Sequence, residues 1–452
     1  MIAADRSGSG KTTVTRALML SLKKAGCTVI PFKCGPDYID PMYHAQITGL
    51  RGHNLDTFFT DREKTRQLFA RDCLDVPENT PIRNRIAVVE GVMGLYDGLT
   101  GFLPEGSSYD LAEALQMPII LCINAHGAAE TLLAVISGIL SFDKSSLIRG
   151  IFLNEVSDSF FPQLAKKIED YTGIPVIGHL PKDNAFNVKS RHLGLRLPDE
   201  TDTDLQNSRL FEEFSQRCNI YRLLNLTEMS DIDYVRPMKR ISGLVDIAVA
   251  RDEAFDFFYR ENEFALEDAG ARITYFSPLH DEKIPESAKG LILPGGYPER
   301  YAEALSKNTP MPVSIRNAIK NEMPVLAECG GFMYLHETID GKGPLVGALD
   351  GDCFYTGKSV RFGYLKASDK GHFFVRDGED IRGHEFHYYD VKDPGDCAVV
   401  SKPSSSKKRE AGFCDERDFL SFMHFYYPSC PSFPAHFVDE AIKYGRKIQE
   451  QL

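Results

Sequence analysis

The sequence predicts two consecutive α/β domains, the first built on a parallel sheet. Three observations carry that prediction. At 452 residues the chain exceeds what one hydrophobic core usually serves. From its start to about residue 190, short apolar runs alternate with amphipathic stretches, the rhythm of βαβ units. After polar, charge-rich stretches at 198–217 and 227–240 a fresh α/β rhythm begins at 244–250, which sets the boundary near residue 240, with domains 1–240 and 241–452.

In the first domain residues 1–4 form a strand that leads straight into a glycine-rich loop. That strand is short against the usual five or six or so residues, which leaves open a longer natural N-terminus. Val14, Ala17, Leu18 and Leu22 then recur at helical spacing, and Gly26 is a good C-terminal cap. Runs 27–33, 86–90, 118–124, 148–155 and 174–180 read as buried strands. In the second domain 244–250, 272–276, 290–293 and 324–327 read as strands, with a helix over 253–269 between the first two. Beyond Cys329 the pattern turns more β-like, at 362–366 and 385–391, and the Ser-rich segment 401–408 reads as an exposed loop. No internal repeat is visible.

Charged residues make up 26% of the chain and hydrophobic ones 43%, ordinary for a soluble globular protein. No run approaches the roughly 18 apolar residues of a membrane span, and no signal-peptide pattern opens the sequence, so the expected compartment is the cytoplasm and no membrane partner is expected. Ten cysteines lie without C-x-x-C pairs or zinc-ligand spacing; most are expected to be reduced and buried, with neither a disulfide framework nor a structural metal. A net charge of −12 argues against a nucleic-acid partner.

Two motifs carry chemistry. The first is Ser7-Gly8-Ser9-Gly10-Lys11-Thr12-Thr13. Gly8 and Gly10 let backbone amides converge on phosphate oxygens, Lys11 adds a point charge, and the Thr12 hydroxyl suits Mg²⁺, all at the positive end of the following helix. Asp5 stands where the strict Walker pattern has glycine, so the loop is a variant. Acids follow where strands should end, in Phe32-Lys33-Cys34-Gly35-Pro36-Asp37-Tyr38-Ile39-Asp40-Pro41 and Glu90-Gly91-Val92-Met93-Gly94-Leu95-Tyr96-Asp97-Gly98. Carboxylates at strand ends suit Mg²⁺ beside phosphates, and Lys33 suits charge on a transferred phosphoryl group. Either segment alone would read equally as a solvated acidic turn.

The second motif is Ala327-Glu328-Cys329-Gly330-Gly331, a strand-to-helix elbow that exposes a nucleophile and lets the helix N-terminus lower the thiol pKa. A lone cysteine is more often a core residue. Its context is Gly295-Gly296, which ends another strand with amides for an oxyanion, and three candidate bases, His384, His387 and His424. A phosphate site that activates a carboxylate, joined to a thiol that releases ammonia from an amide, reads as ATP-driven, glutamine-dependent amidation.

Together these blocks resemble the cobyrinate a,c-diamide synthase family along nearly the whole chain. The resemblance rests on SGSGKTT, FKCGPDYIDP, NLDTFF at 54–59, VVEGVMGLYDG, SRHLGL at 190–195, LPGGYPE, AECGGFMYL, RFGY at 361–364 and GHEFHYY. It implies a dethiobiotin-synthetase-like P-loop domain followed by a class I glutamine amidotransferase domain, with cobyrinate, L-glutamine and ATP as substrates. It further implies Cys329 as nucleophile, His424 as base, and Gly295, Gly296 and Gly330 around the glutamine site. Ser7, Gly8, Gly10, Lys11, Thr12, Thr13 and Lys33 are implied at ATP, and Thr12, Glu90 and Asp40 at Mg²⁺. Asp37, Tyr38, Asp40 and Asp97 are candidates for substrate or a second metal. Asn154 is similar in placement to the adenine-contacting asparagine of dethiobiotin synthetases, and a turn asparagine is the competing reading.

Many class I amidotransferases orient the histidine with a carboxylate two residues beyond it; Tyr426 stands there, which leaves the orienting group open. Arg51, Arg191 and Arg361 are candidates for the substrate's carboxylates. Hydrogenobyrinate and nickel sirohydrochlorin remain alternative macrocycles, and a P-loop ATPase with a degenerate amidotransferase module remains the alternative of another class. Free ammonia has to stay unprotonated on its way to the acyl-phosphate, which calls for a shielded interdomain route.

Overall fold

The computed structural model describes all residues except 102–103, 184–185, 187–189, 192–193, 196–202, 231, 236–243, 372–373, 377 and 452, and the side chains of 190–191, 194–195, 203–204 and 451. The chain forms two compact units, Met1–Arg236 and Pro237–Leu452. The expected boundary near residue 240 lies outside the described residues. Among them no helix is long and apolar enough to cross a membrane.

The first unit is a seven-stranded parallel sheet. Its strands are β1 (Ile2–Ala4), β2 (Thr28–Cys34), β3 (His53–Leu55), β4 (Arg85–Glu90), β5 (Ile119–Asn124), β6 (Ile148–Asn154) and β7 (Val176–Leu180), ordered β3-β2-β4-β1-β5-β6-β7. The expected strands fall here within two residues; β3 is additional, too short to leave a periodic signal. Helix α1 (Lys11–Lys24) buries Val14, Ala17, Leu18 and Leu22 against Ile2, Ala4 and Phe152, the face its spacing predicts. It stops at Gly26, whose φ of 84° is the left-handed conformation a helix end needs. Parallel register sets Lys33 of β2 beside Glu90 of β4, and Asn124 of β5 beside Asn154 of β6. The polar residues of the first motif therefore gather at the carboxyl ends of the strands, where open α/β sheets hold ligands.

The second unit has a six-stranded sheet in the order Ala271–Phe276, Val245–Ala250, Gly290–Leu293, Val325–Glu328, Phe419–Ser421, Phe413–Cys414, parallel but for the last pair. A five-stranded antiparallel sheet, containing Arg361–Asp369, Ile381–His387 and His424–Phe425, accounts for the β-rich later part. The expected helix over 253–269 begins only at Arg260. Residues Phe255–Phe257 instead form a strand antiparallel to Gly295–Gly296, a tertiary pairing that local propensity does not report. Cys397 and Cys414, 17 residues apart, are joined by a disulfide, contrary to the expectation of no disulfide framework; the Cys397 amide donates to the Gly412 carbonyl at 3.0 Å, which sets the two segments side by side.

Candidate active site

Gly8 (φ 81°) and Gly10 (φ 98°) turn the chain from β1 into α1 through the left-handed region, which glycine enters without steric cost. Asp5 accepts a hydrogen bond from the Ser9 hydroxyl at 2.6 Å and so ties the variant loop to itself. Asn154 donates to the Ser9 carbonyl at 3.1 Å, and a Cβ on Gly10 would stand 2.1 Å from its amide nitrogen. Asn154 thus supports the loop directly. Ser7 and Gly8 are exposed, while Thr13 is half-buried on α1.

Behind the loop lies a buried charge network. Thr12 donates to Glu90 Oε1 at 2.6 Å, Lys33 Nζ donates to the same oxygen at 3.0 Å, and His44 Nε2 meets Glu90 Oε2 at 2.8 Å. Lys33 also pairs with Asp40 and stands 3.9 Å from Asp37. Burial opposes the charged form of Glu90, but the Lys33 ammonium and the hydrogen bonds from His44 and Thr12 outweigh it and hold the carboxyl well below its ordinary range. Burial and the neighbouring Glu90 push Asp40 up, and its Oδ1 is buried without a hydrogen-bond partner. Lys11 donates to the Met93 carbonyl; burial first, then Lys33, lowers its pKa.

Lys33 is therefore held among acids rather than projecting freely at a phosphate. Asp37 accepts from the amides of Ile39 (2.8 Å) and Asp40 (3.3 Å), at the start of α2 (Ile39–Thr48), with Tyr38 as the residue before that helix. Asp97 accepts from the Gly94 amide at 3.0 Å and closes its own turn. His44 and Arg16 were not expected. Both were legible as helical i+4 partners, His44 of Asp40 and Arg16 of Thr12. Arg16 is buried, donates to Asn207 at 2.8 Å and lies 5.6 Å over the Tyr43 ring. Arg361 pairs with Asp390 at 3.2 Å, Arg51 is half-buried, and the Arg191 side chain lies outside the described residues.

In the second unit Cys329 has φ 44° and ψ −102° between Val325–Glu328 and a short helix from Gly330, the strained elbow that presents a nucleophile. Its amide donates to the Ser421 carbonyl at 2.8 Å. A Cβ on Gly330 would lie 2.8 Å from the Gly296 amide nitrogen, and one on Gly331 would lie 1.9 Å from the Leu293 carbonyl oxygen, so only glycines let these backbones meet. His424 packs on the same Gly295–Gly296 segment: a Cβ on Gly295 would fall 2.2 Å from its Cε1.

His384 stacks on His424 at 4.8 Å, opposite it in register across two antiparallel strands. His387 stacks on Phe422 at 4.3 Å, its Nδ1 at 2.7 Å from the Tyr389 carbonyl. Burial first, then His384 and His387, drives the His424 pKa well down. The expectation of a lowered thiol pKa is reversed here: burial, then Glu299, pushes Cys329 up, and the Gly330 amide offsets only part. A raised thiol and a lowered imidazole both favour the neutral form, which suits general-base activation rather than a preformed thiolate.

Residues 1–195 match the family model "CobQ/CobB/MinD/ParA nucleotide binding domain", and 246–429 match "CobB/CobQ-like glutamine amidotransferase domain". The chain is 37% identical to the cobyrinate a,c-diamide synthase of Caldanaerobacter subterraneus subsp. tengcongensis, over 99% of each chain. It is 36% identical to that of Thermoplasma volcanium over 99% of this chain and 98% of the relative, and 34% identical to that of Picrophilus torridus over 97% of each.

Proposed function

The chain belongs to the cobyrinate a,c-diamide synthase family, and on that premise we propose how its residues divide the ATP-dependent, glutamine-dependent amidation of a corrin in cobalamin biosynthesis. The first domain activates the acid. A carboxylate oxygen of cobyrinate, at the a and then the c acetate or the reverse, attacks the γ-phosphorus of ATP; the bond to the bridging oxygen breaks, leaving an acyl-phosphate and ADP. Ser7, Gly8, Gly10, Lys11, Thr12 and Thr13 hold the phosphates through amides, hydroxyls and one ammonium. Asn154 keeps the loop in shape.

Mg²⁺ is the proposed companion of those phosphates, with Thr12, Glu90 and Asp40 as the residues that would hold it. Support comes from the buried, unpartnered Oδ1 of Asp40 and from the acid excess of Asp37, Asp40 and Glu90 around the Lys33 ammonium. Bound there it supplies positive charge for ATP's phosphate oxygens.

The second domain supplies nitrogen. As Cys329 Sγ attacks the side-chain carbonyl carbon of glutamine, its proton passes to His424, and the amides near Gly296 and Gly330 receive the developing oxyanion. His424 returns the proton to the departing ammonia, and water hydrolyses the glutamyl thioester. Ammonia then attacks the acyl-phosphate and inorganic phosphate leaves. The cytoplasm is the proposed compartment.

The observation that carries this reading is Cys329 in a glycine-lined elbow on the same chain as a lysine-bearing phosphate loop. The test is a turnover assay with ATP, glutamine and cobyrinate, beside hydrogenobyrinate and nickel sirohydrochlorin, counting installed amides by mass. Two amides on cobyrinate are expected. Cys329→Ser should lose glutamine-supported amidation and keep ammonia-supported amidation; normal glutamine-supported turnover in that variant refutes the division of labour.

A further inference from the structure

We propose that Glu328, the residue before the nucleophile, is the positioning residue of His424, filling the role left open by Tyr426. This rests on the reading of Cys329 and His424 given above. Glu328 ends the strand Val325–Glu328, and parallel register pairs it with Ser421, three residues before His424. Its Oε2 lies 4.0 Å from His424 Nδ1, with both side chains all but fully buried. Shortening that gap to hydrogen-bond length takes about 1 Å, and catalytic hydrogen bonds are commonly long before substrate arrives.

Two further observations single out Glu328. Neither of its carboxylate oxygens has a hydrogen-bond partner, although the Tyr427 hydroxyl and Phe425 amide face it. A buried acid left so is costly, and an apolar side chain would fill the site better if packing were its only task. Tyr426, meanwhile, is fully buried and packs edge-on against Tyr259 at 5.4 Å. The His424 ring has His384 stacked on it and Gly295 beneath its Cε1, while Glu328 stands at its Nδ1.

In the proposed arrangement Nδ1–H of His424 donates to Glu328, which fixes the tautomer whose Nε2 lone pair takes the Cys329 proton. An oxygen of the Glu328 carboxyl keeps accepting from the imidazolium so formed until the proton passes to ammonia, which restores the neutral ring. No proton is gained or lost by Glu328. The other ionisable groups around the pair are Glu299 and Glu385, which act on Cys329, His384 and His387, which act on His424, and Tyr427, which faces Glu328.

The test is steady-state glutaminase kinetics of Glu328→Gln and Glu328→Asp, each with ammonia-supported amidation as the measure of folding. For Glu328→Gln kcat should fall on the order of 100-fold, with the KM for glutamine and ammonia-supported amidation little changed; Glu328→Asp should recover part of kcat. Wild-type kcat in a folded Glu328→Gln overturns the proposal. If glutaminase survives in Cys329→Ser, the underlying reading fails instead. Should Glu328→Gln not fold, ¹⁵N-histidine NMR of the wild-type protein decides: an Nδ1–H tautomer for His424 supports the proposal, and an Nε2–H tautomer overturns it.

Discussion

Replacing Gly295 by alanine should separate the two half-reactions. The new methyl would sit 2.2 Å from His424 Cε1 and 3.0 Å from Nδ1, whereas carbon atoms rest about 3.5 Å or more apart, so ring and methyl must part by about 1.3 Å. A displacement of about 1 Å at a catalytic group costs on the order of 100-fold in rate, while overpacking one methyl costs about 1–3 kcal/mol in stability. Gly295 is not in a left-handed conformation, so backbone strain adds nothing. The expected outcome is glutaminase kcat lowered about 100-fold with ammonia-supported amidation retained, read in paired assays on one preparation. Full glutaminase activity in a folded Gly295→Ala would refute His424 as the base or its seat against this segment.

Other perturbations test the remaining groups. Glu90→Gln removes the anion facing Lys33 and His44 and should cost about 3 kcal/mol at neutral pH. Because the folded carboxyl titrates well below its unfolded value of 4.5, that stability is present above pH 4.5 and lost on acidification, so the gap between the thermal midpoints of wild type and variant should hold from pH 7 to pH 4.5 and begin to narrow only below it. Glu328 is the opposite case: burial pushes it to about 8, so wild-type stability falls as pH rises from about 4.5 to about 8. Glu328→Gln should therefore be the more heat-stable protein at pH 8, by up to a few kcal/mol, with the difference vanishing towards pH 4.5. Gly331→Ala would set a methyl 1.9 Å from the Leu293 carbonyl oxygen and should abolish soluble expression or strip glutaminase activity, checked by calorimetry and labelling of Cys329 with a glutamine-analogue electrophile.

Much of the fold is legible in the sequence because buried parallel strands read as uninterrupted apolar runs, as at 118–124 and 290–293. Residues 253–259 mislead because Phe255–Phe257 becomes a strand only by pairing with Gly295–Gly296, some forty residues on. The phosphate loop is local and reads directly. Glu328 was visible in the motif, but its approach to His424 depends on the pairing of 326–328 with 419–421, which no local pattern encodes. The capture of Lys33 by Asp40 and Glu90 is equally invisible locally, because it follows from the register of β2 and β4 and the start of α2.

The backbone at Cys329, φ 44° and ψ −102°, belongs to a region where a side chain costs about 1–3 kcal/mol and glycine almost nothing. Cys329→Gly would yield a sturdier molecule that makes amides only where ammonia is already plentiful. Robustness alone would thus favour glycine there, and the strain held at this one position serves the sulfur and not the fold.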